Sequence, residues 1–215
     1  MFSKLSDLPM FIGVIEKAYG SRVAYRYLVD DLIVDKTFAQ LAHDVKAIAS
    51  WIVKEGYSGK HIAIIGSTSY SWISTFLGIV CSANVVVPVD KMLSENEMMN
   101  ILNMGDVNVV FASEEFEHLL QAIEQDEQQN IRVIRFAGEE YPNILRTELA
   151  SLPESDPEGL AEILFTSGTT GVSKGVMLSQ KNLCANIADY YSLNILDKTR
   201  CEPVAMSVLP IHHTE

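Results

Sequence analysis

Between Phe38 and Ile52, apolar residues fall at Phe38, Leu41, Ala42, Val45, Ile48, Ala49 and Ile52. That spacing follows the 3.6-residue period of a helix that turns one face toward a core. Thr37 stands directly before it as an N-cap, and Gly56 ends it. Upstream, Val23 to Leu28 and Leu32 to Val34 flank Asp30-Asp31, the pattern of a β-hairpin with an acidic turn. Downstream, short apolar runs alternate with helical periods. His61 to Ile65, Asn84 to Val89, Val107 to Phe111 and Ile131 to Phe136 read as strands. Ser71 to Cys81, the segment from the Ser94 cap to about Met104, and Glu114 to Ile123 read as helices between them. This rhythm predicts an α/β fold with a mostly parallel sheet, flanked by helices and preceded by the hairpin.

Ser151 to Gly159, with Pro153 and Pro157 among acidic residues, reads as a linker. It divides the chain into an α/β subdomain (1–150), the linker (151–159) and a last segment (160–215). That last segment opens on a short apolar strand, Ile163 to Phe165. A turn dense in glycine and hydroxyls follows, Thr166-Ser-Gly-Thr-Thr-Gly-Val-Ser-Lys-Gly175. A strand at Gly175 to Leu178, a helix from Ser179 to about Tyr191 and a strand at Val204 to Leu209 complete it.

The turn has the chemistry of a phosphate cradle. Gly168, Gly171 and Gly175 let the backbone approach an anion without a Cβ in the way. Successive amides in such a loop form an electropositive nest, and Thr166, Ser167, Thr169 and Thr170 add hydroxyl donors. Lys174 adds a mobile positive charge suited to a polyphosphate. The spacing excludes two commoner loops. A Walker loop needs its lysine directly after the second glycine, and a dinucleotide fingerprint needs G-x-G-x-x-G; neither is present.

Bulk properties narrow the field. A net charge of −12 without a basic stripe argues against nucleic acid as partner. Local donors can still hold an anionic nucleotide, with magnesium neutralising part of its charge. Cys81, Cys184 and Cys201 are widely separated and lack metal-ligand spacing, so they read as reduced core thiols. No run of 18 apolar residues suggests a membrane span, and Met1 to Met10 lacks the pattern of a secretion signal. A cytoplasmic protein is expected, with peripheral membrane contact left open. His43, His61 and His118 sit in no catalytic pattern, and His212-His213 with Glu215 make no convincing metal site.

Thr166 to Gly175 resembles the phosphate-binding loop of the adenylate-forming superfamily, which includes acyl-CoA synthetases, peptide-synthetase adenylation domains and luciferases. Ser173 stands where that loop usually has proline. Three further segments resemble the family in the right order. Thr37-Phe38-Ala39-Gln40-Leu41 is similar to its Thr-Tyr-x-Glu-Leu helix start. Gly78 through Val89-Asp90 is similar to its helix–strand unit, with Ala83-Asn84 in place of a glycine-rich turn. Leu209-Pro210-Ile211-His212-His213-Thr214-Glu215 resembles the Leu-Pro-Leu-His-His-Thr-aromatic-Glu segment of long-chain acyl-CoA synthetase-like proteins, without the aromatic residue.

The resemblance implies an ATP-dependent ligase. A carboxylate, expected to be a fatty acid, attacks the α-phosphorus of ATP, and the acyl-adenylate then passes to coenzyme A. Thr166, Ser167, Gly168, Thr169, Thr170, Gly171 and Lys174 would bind the nucleotide, with Mg2+ between phosphate oxygens. Lys174 and His213 would act in catalysis, His213 lining the acyl pocket. The family's adenine, magnesium-glutamate and ribose motifs do not follow Glu215, so a catalytically incomplete N-terminal fragment is expected. A peptide-synthetase module serving a carrier-protein thiol and a non-catalytic anion-binding module are the alternatives. Oligomeric state is not legible.

Overall fold

A computed structural model describes residues 2–126, 128, 130–166 and 174–192. After a short 3-10 turn the chain enters α1 (Leu8–Tyr19), whose N-cap Asp7 accepts from the Met10 amide at 2.8 Å. This helix was not anticipated from the sequence. Pro9 and Gly13 interrupt the signal, yet Pro9 lies in the first turn, where its missing N–H costs nothing.

The hairpin β1 (Val23–Val29) and β2 (Leu32–Thr37) forms as expected. Asp30 and Asp31 both take positive φ, 48° and 62°, which matches a two-residue turn to the twist of the strands. Thr37 then caps α2 (Phe38–Lys54). Its Oγ1 accepts from the Gln40 amide at 3.2 Å, and Gln40 Oε1 accepts from the Thr37 amide at 2.8 Å, a reciprocal capping box. The buried Asp44 on α2 ties the hairpin down: it accepts from the Tyr70 hydroxyl at 2.7 Å and from Lys36 Nζ at 3.4 Å.

The α/β body follows. Its elements are β3 (His61–Ile65), α3 (Tyr70–Cys81), β4 (Val85–Val89), α4 (Glu95–Met104), β5 (Val107–Ala112), α5 (Glu117–Gln125), β6 (Arg132–Arg135) and a short α6 (Glu140–Ile144). Beyond a non-regular stretch come β7 (Leu160–Thr166), β8 (Lys174–Ser179) and α7 (Gln180–Ser192). The six-stranded sheet has the order β6-β5-β3-β4-β7-β8. All neighbours are parallel except β7 and β8, which run antiparallel. The expected strand at Val204 to Leu209 lies outside the described residues.

Parallel strands need apolar cover on both faces. One core packs Ile62, Ile64, Val86, Val109 and Phe111 against α1, α2, α3, α6 and α7. The other packs Ala63, Ile65, Val87, Val110 and Ala112 against α4 and α5. Cys81 and Cys184 are free thiols within the first core, and burial pushes Cys184 up to about 11 and Cys81 higher still. Reactive thiolates are therefore absent at these two positions.

The turn before β4 keeps a left-handed residue without glycine. Ala83 has φ 56°. Asn84 holds it there: its Oδ1 accepts from the Lys60 amide at 2.7 Å, and its Nδ2 donates to the Ser82 carbonyl at 3.0 Å and Ser82 Oγ at 2.9 Å. A left-handed L-residue costs about 1–2 kcal/mol. The added freedom of glycine in the unfolded chain offsets about 0.4–1 kcal/mol of any relief. Ala83→Gly should therefore stabilise the protein by roughly 0.5–1 kcal/mol. Denaturant unfolding tests this; a lower midpoint for the variant would mean the turn is not strained.

Candidate functional site

Because β3, β4, β5, β6 and β7 are parallel, their connecting loops leave from one edge of the sheet. In open α/β sheets, ligands bind outside the carboxyl ends of the strands. Here that edge carries Gly66 to Ser69 after β3, Asp90 to Leu93 after β4, Ser113 to Glu115 after β5, and the end of β7.

The end of β7 is where two of the expected site residues meet. Thr166 and Lys174 are register partners, the last pair of the β7–β8 ladder. Both are exposed, and no hydrogen bond or ion pair engages the Lys174 ammonium among the described residues. An exposed ammonium beside a threonine at the carboxyl edge is suited to an incoming anion. Ser167, Gly168, Thr169, Thr170 and Gly171, together with His213, lie outside the described residues. His43, His61 and His118 are not brought to this edge. His43 lies beside Asp44 on α2, His61 opens β3 at the opposite edge, and His118 pairs with Glu95 on the surface.

Sequence reading missed a cleft of about 450 Å³ on the same edge. It is lined by Ser67, Ser69, Ser71, Ser113, Glu114, Glu115, Phe136 and Ala137. Its position follows from topology: after β3 the chain passes to α3 on one face, and after β5 to α5 on the other. Adjacent loops that diverge in this way open a crevice at the switch point. Gly66 allows the two loops to close at its base. Its φ is 152°, and a Cβ there would lie 2.2 Å from Ser113 Oγ. The cleft centres on β3 and β5, while the Thr166–Lys174 pair lies beyond β4.

Glu162 is the second residue that sequence reading passed over. It lies on β7 beside Val86 of β4 and Leu178 of β8, only 6% exposed, with no hydrogen bond or ion pair among the described residues. Burial raises its carboxyl from 4.5 to about 7. The strand that delivers the loop thus contains a carboxylate that the fold disfavours. Among the described residues, no group of three or more His, Cys, Asp or Glu side chains is arranged to hold a metal ion. No described helix is long and apolar enough to cross a membrane.

Burial of Glu162 makes stability pH-dependent in a definite direction. Below pH 4.5 the carboxyl is protonated in both folded and unfolded chains. From 4.5 to about 7 the unfolded chain releases the proton that the folded chain keeps, so stability falls as pH rises. The loss, complete above about 7, is on the order of 3 kcal/mol. Glu162→Gln should raise Tm at pH 8, leave it nearly unchanged at pH 4 and flatten the profile between. A variant with the wild-type pH profile would show that Glu162 is not the source.

Comparison with known proteins adds to this geometry. The chain matches the family described as AMP-binding enzyme over residues 16–214. It is 29% identical over 182 residues to the long-chain-fatty-acid–CoA ligase FadD15 of Mycobacterium bovis, covering 77% of this chain and 30% of that protein. It is 27% identical over 211 residues to a crotonobetaine/carnitine–CoA ligase of Salmonella paratyphi B, covering 92% and 40%. The fold superposes on a Mycobacterium tuberculosis fatty acyl CoA synthetase with a TM-score of 0.74 at 18% identity, covering 88% of this chain and 38% of that one. The chain therefore spans 30–40% of the length of these curated relatives.

Proposed function

The chain belongs to the AMP-binding enzyme family, and we propose that it is the N-terminal part of an ATP-dependent acid–CoA ligase. In this reading it supplies the phosphate-gripping half of the site at which a carboxylate, a fatty acid by preference, is activated as its adenylate. The acyl group then passes to the thiol of coenzyme A. One observation carries the proposal. The family match runs through the β7–β8 hairpin, and the described ends of that hairpin present Thr166 and Lys174 side by side at the carboxyl edge.

The chemistry is positioning and charge stabilisation. A carboxylate oxygen attacks the α-phosphorus, the bond to the bridging oxygen breaks, and negative charge accumulates on departing pyrophosphate. Thr166, Ser167, Thr169, Thr170 and the amides of Gly168 and Gly171 would grip the β- and γ-phosphates, and Lys174 would compensate the growing charge. His213 would line the acyl pocket. Mg2+ would supply charge neutralisation on the polyphosphate.

Residues 1–150 would form the α/β subdomain, 151–159 the linker, and 160–215 the loop and the start of the acyl pocket. The protein would work in the cytoplasm. The relatives whose names specify CoA ligases favour coenzyme A over a carrier-protein thiol as acceptor.

Lys174→Ala in the complete ligase should slow adenylation by the equivalent of about 2–4 kcal/mol, the cost of losing a preorganised charge-assisted donor. Stopped-flow adenylation rates equal to wild type would remove Lys174 from the mechanism. The 215-residue chain alone should not catalyse carboxylate-dependent ATP–pyrophosphate exchange. Aligning carboxylate and α-phosphorus can account for about 7–11 kcal/mol of barrier reduction. In this reading much of that alignment comes from the remainder of the ligase. Robust exchange by the chain alone would mean the catalytic centre lies within it.

A further inference from the structure

We draw no further inference here: the strongest candidate, the apolar tip of the β1–β2 hairpin, where Leu28, Val29, Leu32 and Ile33 are exposed around the Asp30-Asp31 turn, carries nothing because nothing in the structure shows what covers it.

Discussion

Parallel pairing of β3, β4 and β7 is the constraint on which the rest depends. Each parallel neighbour sends its following loop to the same edge, so loops distant in sequence converge there. The pairing is possible only because Ile62, Ile64 and Val86 are buried on one face, and Ala63, Ile65 and Val87 on the other. β7 joins this sheet from beyond the non-regular stretch that follows α6. Its position next to β4 brings the Thr166–Lys174 pair to the same edge, beyond β4. Break the β4–β7 ladder and the candidate site loses its geometry, though every side chain in it remains.

Much of this was legible in the sequence where burial is periodic. The apolar period of α2, the runs of β3 to β6 and the Asp30-Asp31 turn each express a local rule strongly enough to read directly. Other features failed for local reasons. α1 hid behind Pro9 and Gly13, residues that weaken a helix inside its length but not in its first turn or on a loosely packed face. α6, only five residues long, has too few turns to show a period. At Ala83 a left-handed turn forms without glycine because Asn84 supplies three hydrogen bonds within 3.0 Å.

The candidate site was legible in its chemistry and not in its surroundings. Thr166 and Lys174 stand out because they bound a turn dense in glycines and hydroxyls, the chemistry of a phosphate cradle. Nothing along the chain marks the cleft, since Ser67 and Glu115, hydrogen-bonded across it, are 48 residues apart. Glu162 was equally silent. A lone acid beside Ile163 and Leu164 gives no hint of its pairing until Val86 and Leu178 close around it. Partners supplied by topology are invisible to spacing.

Charge distribution explains how so acidic a chain can present a phosphate site. Its formal charge of −12 is spread over helix surfaces, and many cations are spent there. Arg135 is held by Glu117 and Glu124, Arg132 by Glu55 and Glu140, and Lys181 by Glu158. Exposed pairs of this kind contribute little to stability, about 0–1 kcal/mol each, but they neutralise charge that would otherwise compete for an anion. At the β7–β8 end of the carboxyl edge the pattern differs: Lys174 has no carboxylate at ion-pair distance among the described residues. Glu162, the acid nearest the loop along β7, is buried where its neutral form is favoured until pH reaches about 7. Field strength at a site depends on which charges are left unpaired, and desolvation of an acid is as effective as adding a base. The fold uses both around the loop: the buried Glu162 lies on β7, which enters it, and Lys174 opens β8, which leaves it.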